Sequence, residues 1–193
     1  MYPIYLACLQ KDTAKLLRYK ENFPFLDEKG YAEYYEIAAR TPLSKRPTDL
    51  NSAGIKFILR HIKSGNKVLE AGCGRGFMAR EMQKITPPVV VGLDIEKPAD
   101  VSGFTFVEGS LTNLPFDVVT CSHVLEHVVD FEKCLLELIR VARRQVVIVL
   151  PRQREYRYVA DLHIRFFPYE YNVRACRANF VLQKLNLSAA IGE

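Results

Sequence analysis

The sequence predicts an α/β fold, with a mostly parallel central sheet flanked by helices. Two observations carry that prediction. From about residue 49 onward, apolar runs of strand length alternate with stretches of helical periodicity, the pattern that builds a parallel sheet with right-handed crossovers. Directly after the first of those runs come three alternate glycines, Gly72, Gly74 and Gly76. Sheets of this kind bind ligands at the carboxyl ends of their strands, where such a turn sits.

The elements follow in order. Tyr5–Lys20 and Tyr31–Arg40 have helix-compatible apolar spacing, separated by the turn-like Asn22–Gly30 and ended by Thr41–Pro47. Residues 1–48 therefore read as a helical cap or extension placed before the α/β domain of residues 49–193. Tyr31, Tyr34 and Tyr35 are candidates for a cleft wall, although an aromatic stripe at helical spacing more often serves packing. Asp49–Lys63 reads as a helix with Ile55, Ile58, Leu59 and Ile62 apolar, ending near Gly65. Strands are expected at Lys67–Ala71, Val89–Leu93, Phe104–Val107, Val118–Cys121 and Gln145–Leu150, with helices over Phe77–Ile85 and Phe131–Ala142. Beyond Pro151 lie a loop, a helix candidate at Tyr169–Ala178 and a strand-like run at Phe180–Leu185.

At 193 residues and 49% hydrophobic, the chain has material for one well-buried domain. Its longest apolar runs, such as Val146–Leu150, are strand-sized and far below membrane-spanning length. Met1–Gln10 runs straight into KDTAKLLRYK without the pattern of a secretion signal. The expectation is a soluble cytoplasmic protein with no membrane partner. Five scattered cysteines without a C-x-x-C pair argue for reduced thiols, against both a disulfide framework and a zinc site. The net charge of +5 includes a cluster at Arg140, Arg143, Arg144, Arg152, Arg154, Arg157 and Arg165, which leaves an anionic substrate or a nucleic acid open. A solvated face with helix-end cations explains the same cluster, and no RNA-binding motif with interleaved aromatics supports the other reading.

The chemistry concentrates around Val68–Arg80 (VLEAGCGRGFMAR). Glycines at alternate positions let the backbone turn sharply and approach a ligand where a β-carbon would intrude. The helix beginning at Phe77 would aim its free N–H groups at that ligand. Dinucleotide enzymes use a related G-x-G-x-x-G, but here the third glycine comes one residue early. Glu70 also places a carboxylate at the strand end. A pyrophosphate beside it would be repelled, whereas an ammonium would be attracted. The pocket therefore suits a nucleoside carrying a cationic amino acid, and a nicotinamide oxidoreductase is disfavoured. Cys73 reads as a small residue that the turn tolerates rather than a nucleophile. Asp94 ends the second strand at the separation expected of an acid that accepts both ribose hydroxyls.

E-A-G-C-G-R-G at Glu70–Gly76 resembles the first motif of the class I S-adenosylmethionine-dependent methyltransferases, of the type 11-like kind. The resemblance continues through VVVGLDIE at Val89–Glu96, FVEGSLTNLPF at Phe106–Phe116 and DVVTCSHVLEHV at Asp117–Val128, covering roughly Lys67–Pro151. It implies a Rossmann-like fold and S-adenosyl-L-methionine as cofactor. It places Glu70, Gly72, Cys73, Gly74, Gly76, Asp94, Ile95, Ser110, Leu111 and Ser122 around that cofactor. Ile95 would lie against the adenine, and Ser110 stands where relatives usually carry an aspartate for the adenine amino group. A serine bonds there more weakly. The chain also departs from the pattern. Ile95–Gly103 is too short and broken for the usual crossover helix, and the Leu114–Asp117 junction lacks the polar loop of relatives. No run supplies the last antiparallel strand, so that edge of the sheet has room to be incomplete.

Ser122 and His123 follow the fourth strand, where relatives face the transferred methyl. Protein assistance to methyl transfer is mostly alignment in a dry site, with a base where the nucleophile is oxygen or nitrogen. His123, Glu126 and His127 would share one face if Val124 onward were helical, and His163 sits in a loop able to return over the same site. One reading makes His123 or His163 the general base, with a pKa suited to neutral pH. Another makes His123, Glu126, His127 and His163 divalent-metal ligands, as the resemblance implies from some ubiquinone-pathway and small-RNA 2′-O-methyltransferases, which carry a further glutamate where this chain has His123. A third, which the resemblance implies from metal-free members of the fold, has the glutamate and histidine of L-E-H-V merely packing the helix start, and no metal is assigned. The expected function is methyl transfer to an oxygen or nitrogen of a small-molecule or glycan-like acceptor. An RNA or protein methyltransferase, and a binding module without turnover, stay open beside it.

Overall fold

A computed structural model describes residues 11–40, 46–85, 89–109, 115–158, 160–169, 171–172 and 186–192. Its core is a six-stranded sheet of β1 (Val68–Ala71), β2 (Val90–Asp94), β3 (Thr105–Glu108), β4 (Phe116–Ser122), β5 (Ala142–Pro151) and β6 (Asn186–Gly192). The order is β3-β2-β1-β4-β5-β6, and every neighbouring pair is parallel. This is the Rossmann-like sheet the sequence predicts. No antiparallel strand occurs among the described residues, and β6 lies directly on β5. The strand-like run at Phe180–Leu185 and the helix candidate beyond residue 172 lie outside the described residues.

Six helices accompany the sheet among the described residues: α1 (Lys11–Leu17), α2 (Tyr19–Asn22), α3 (Glu28–Ala39), α4 (Ser52–Leu59), α5 (Phe77–Gln83) and α6 (Phe131–Val141). Three start on side-chain caps. Asp27, Asn51 and Asp130 accept the backbone N–H of Gly30, Gly54 and Lys133, at 2.8, 2.8 and 3.0 Å, satisfying donors the helix itself leaves open. Alternation along each strand divides the core in two. On one face Val68, Val90, Val118, Val147 and Val149 pack against Ile58 of α4 and Met78 and Met82 of α5. On the other, Leu69, Ala71, Val119, Cys121 and Ile148 pack against Leu135 and Leu138 of α6. A third cluster joins Leu16, Tyr19, Tyr34 and Ile37 of the N-terminal helices to Leu162, from the loop after β5.

The connections explain where the sheet is thin. Residues 95–104 between β2 and β3 contain no helix, as their length and their proline at Pro98 predict. Strand order reverses between β1 and β4, so the ends of those two strands open a crevice at the switch point. The glycine turn leaves β1 there, and Ser122 and His123 leave β4 beside it.

Candidate functional site

Glu70 points from β1 into the base of the crevice and is 3% exposed. One carboxylate oxygen, Oε2, is buried without a hydrogen-bond partner. Burial is the main cause pushing its pKa up to about 8, opposed by the backbone amide of Ala79 and the Arg80 guanidinium, and aided by Asp94. An unpaired buried acid is costly, so the arrangement is one that a cationic ligand group would relieve. Around it lies a polar cleft of about 230 Å³, lined by Glu70, Gly72, Gly74, Arg75, Ser122 and His123 together with Arg46–Leu50.

The glycines of the turn have separate reasons. A β-carbon on Gly72, at φ +74°, would lie 2.1 Å from a Val124 methyl, and one on Gly76, at φ +72°, would lie 2.5 Å from the Phe104 ring. The early third glycine thus lets Phe104 pack under the turn. Gly74 instead faces open space. The turn's own donors are largely taken by the protein: Gly72 and Cys73 donate to the Leu93 carbonyl of β2 at 2.8 and 3.0 Å, and Gly76 to the Cys73 carbonyl at 2.8 Å. Cys73 is buried against Gly92, and burial pushes its thiol up to about 12. That is the inert small residue expected of it.

Asp94 ties the turn to β2, its Oδ2 accepting from Gly74 N at 2.6 Å and its Oδ1 from Ile95 N at 2.7 Å. A carboxylate has about four acceptor sites, so sites remain for a ribose. Ile95 is 72% exposed, an apolar platform at a strand end. Both residues border an apolar trough of about 700 Å³ that shares Gly72, Gly74 and His123 with the polar cleft and continues past Val124, His127 and Leu138. Ser110 and Leu111 lie outside the described residues.

The histidines converge by a different route from the one their spacing predicts. Leu125–His127 is a turn rather than a helix. His123 adopts φ +53°, a left-handed conformation uncommon for residues other than glycine. The Glu126 carbonyl accepts from Ile164 N at 2.9 Å and Arg165 N at 3.0 Å, so the acceptor that a helix would need is taken by the loop after β5. That loop brings His163 to the site: its Nε2 and the Nδ1 of His123 each lie 3.8 Å from Glu126 Oε1. Glu126 is fully buried, and neither carboxylate oxygen has a hydrogen-bond partner.

The tautomers follow from the partners. His127 Nδ1 faces the Leu162 carbonyl at 3.1 Å, which can only accept. His163 Nδ1 faces Gln153 Oε1, while Gln153 Nε2 donates to Asp161 Oδ2 at 2.7 Å. Both rings therefore present a bare Nε2. One ring nitrogen of each histidine and a Glu126 oxygen lie within 4.8 Å of one another, and acceptors fix both rings as they do in metal-ligating histidines. Burial pulls all three imidazoles below the usual histidine value, His163 to about 4, and pushes Glu126 up to about 8. The 3.8 Å contacts are thus between neutral groups. Burial is the largest cause of the low value at His163.

Two kinds of residue escape a reading by motif. Gln153 and Leu162 orient the histidines from sites with no spacing signal, and Asp49 of the polar cleft precedes the motif by some twenty residues. The tyrosines divide: Tyr34 is buried in the N-terminal cluster, while Tyr31 and Tyr35 line the trough. Several of the clustered arginines are spent internally. Arg140, Arg144 and Arg157 pair with Glu137, Asp117 and Glu21 at 2.8, 3.6 and 2.8 Å, and Arg165 donates to the Val129 carbonyl at 2.8 Å.

A parallel sheet with an acid and a glycine turn at its switch point defines a class I S-adenosylmethionine-binding methyltransferase fold. The family model described as "Methyltransferase domain" matches residues 43–175, and the chain belongs to that family. Among curated proteins, it is 30% identical over 127 residues to the mitochondrial ubiquinone biosynthesis O-methyltransferase of Schizosaccharomyces pombe, covering 53% of this chain and 46% of that protein. It is 37% identical over 82 residues to the ubiquinone biosynthesis O-methyltransferase of Vibrio campbellii, covering 34% of each. The chain thus spans under half the length of these relatives. Among solved structures, an S-adenosylmethionine-dependent methyltransferase from Mesorhizobium loti is 21% identical with a TM-score of 0.40, over 48% of this chain and 50% of that one.

Proposed function

We propose that the protein binds S-adenosyl-L-methionine and transfers its methyl group to an oxygen or nitrogen of a small-molecule or glycan-like acceptor. The observation that carries this reading is the buried, unpartnered Glu70 oxygen beside the open face of Gly74. The donor supplies an electrophilic methyl group on a sulfonium. Glu70 holds the ammonium of its amino acid, Ser122 and the turn around Gly74 bound its carboxylate end, Asp94 accepts the ribose hydroxyls, and Ile95 supports the base. His123 lines the trough and His163 stands behind it, each beside Glu126, where an imidazole nitrogen can accept the proton of an acceptor hydroxyl or amine. The curated relatives are named as O-methyltransferases, which favours oxygen. No helix among the described residues is long and apolar enough to cross a membrane. Calorimetric titration with S-adenosylhomocysteine tests the reading: it expects micromolar binding that Asp94→Ala weakens by at least tenfold, and an absence of binding defeats it.

A second reading of the same cluster rests on the two orphan oxygens of Glu126 and on the His127 and His163 rings gathered beside them. Two histidines and a carboxylate with an open position are a common set for a divalent transition metal. Glu126, His127 and His163 would hold the ion, which would polarise an acceptor oxygen. Adding zinc or manganese to metal-free protein should raise its melting temperature, and His163→Ala should remove the rise. An unchanged melting temperature rejects the metal and leaves the histidines as bases.

A further inference from the structure

The hydroxyls of Tyr31 and Tyr35 sit side by side on the wall of the trough, and what surrounds them fixes the order of their protons. Tyr31 Oη lies 3.1 Å from the His127 carbonyl and 3.2 Å from Tyr35 Oη. A carbonyl only accepts, so the Tyr31 proton goes to His127; turned elsewhere, it would leave two bare oxygens facing each other. Tyr31 then has only lone pairs to offer its neighbour. The proton between the two tyrosines therefore comes from Tyr35, whose phenol burial holds well above its ordinary pKa and so protonated.

This order spends the single proton of Tyr35 inside the wall and leaves its oxygen an acceptor alone. Among the described residues no other group donates to that oxygen. The neighbouring His127 ring, 6.3 Å from the Tyr35 ring between centroids, likewise holds its one proton on a carbonyl, that of Leu162 at 3.1 Å. Arg140, the cationic side chain of the trough among the described residues, is held by Glu137 at 2.8 Å. The groove that continues past Tyr35 under α3 carries Asp27, Glu36 and Glu96 against Arg40, and Arg40 lies 3.6 Å from Glu36. This end of the trough thus offers lone pairs and negative charge, and few protons.

We infer that Tyr35 is a specificity-determining residue, whose oxygen accepts a hydrogen bond from an N–H or O–H of the acceptor other than the group that is methylated. The acceptor then carries a second donor, an amine or a hydroxyl. An ether or a carboxylate in that place sets lone pairs against lone pairs, and a buried polar group without a partner is costly. The inference rests on the proposed function and narrows its acceptor by one chemical requirement.

The test compares four phenols with a second group at the meta position, 3-(aminomethyl)phenol, resorcinol, 3-methoxyphenol and 3-hydroxybenzoate, titrated by NMR into protein saturated with S-adenosylhomocysteine. The amine and the second hydroxyl should bind about threefold or more tighter than the ether and the carboxylate, the ratio expected of one hydrogen bond kept or lost. Tyr35→Phe should bring all four within about twofold of one another. Tyr31→Phe frees the Tyr35 proton to turn into the trough, and should tighten the ether and the carboxylate by about threefold. Should either variant fail to fold, the parent ranking and the other variant decide. A ranking led by the ether or the carboxylate, a flat series, binding of none of the four, or a ranking that survives Tyr35→Phe would each overturn the inference. Failure of S-adenosylhomocysteine to bind would instead remove the proposed function, and the same series in the free protein would still read Tyr35.

Discussion

The two ends of the crevice are built on opposite principles. At the glycine turn, contiguous residues make the site: Glu70 on the strand, Gly72 to Gly76 in the turn, and Ala79 on the helix lie within ten positions of one another. At the other end, Glu126 and His127 come from a turn after β4, His163 from the loop after β5, and Tyr31 and Tyr35 from α3. Both ends contain a buried acid pushed up to about 8, and both acids have carboxylate oxygens without partners. A local site is fixed by one strand–turn–helix unit, whereas the distant one depends on long-range packing of Leu162 into the N-terminal cluster.

The largest effect expected from breaking this contrast is at the turn. Gly72→Ala combines a positive φ with a 2.1 Å overlap on Val124, and should cost about 3 kcal/mol or more in denaturant unfolding. Gly74→Ala, with φ +50° but open space at its β-carbon, should cost only about 1–2 kcal/mol. It should still abolish S-adenosylhomocysteine binding, because the methyl would occupy the ligand's place. Equal stabilities for the two variants would break the local account.

At the distant end, His163→Ala should lower methyl transfer by about a hundredfold while leaving S-adenosylhomocysteine affinity within twofold. A parallel loss of cofactor affinity would mean that the two ends are one unit. The smaller effect is a pH dependence of stability in the ligand-free protein. Glu70 keeps its proton up to about pH 8 when folded but releases it near 4.5 when unfolded, so its contribution to stability falls as pH rises through that window. His163, lowered from 6.5 to about 4, acts in the opposite window, and its contribution is lost as pH falls from 6.5 toward 4. Glu70→Gln should therefore melt like the parent at pH 5 and at a higher temperature at pH 8. An identical difference at both values would contradict the buried-acid assignment.

The same contrast decides what was legible in the sequence. Glu70, the glycines and Asp94 fall on the ends of adjacent strands, so a reading by period and turn chemistry places them together, as the structure does. The missing helix between β2 and β3 was also readable, because a connection as short as Ile95–Gly103 that contains a proline cannot make a crossover helix. The distant end was readable only in composition. Three of the histidines do meet, but through a turn at Leu125–His127, since the Glu126 carbonyl is claimed by Ile164 and Arg165. Spacing along one segment carries no information about a competitor 38 positions away. For the same reason nothing in the sequence marks Gln153 or Leu162 as partners of the imidazoles.

The account turns on Glu70 as the seat of a cationic amino acid. Titrating S-adenosylhomocysteine at pH 7 in two buffers of different ionisation enthalpy measures both affinity and proton exchange. Binding of the ammonium to an acid that holds its proton up to about pH 8 should release close to one proton. Glu70→Gln should release none and bind about ten- to a hundredfold more weakly, the loss of a charge-assisted hydrogen bond. Equal affinities with no difference in proton release would contradict the assignment.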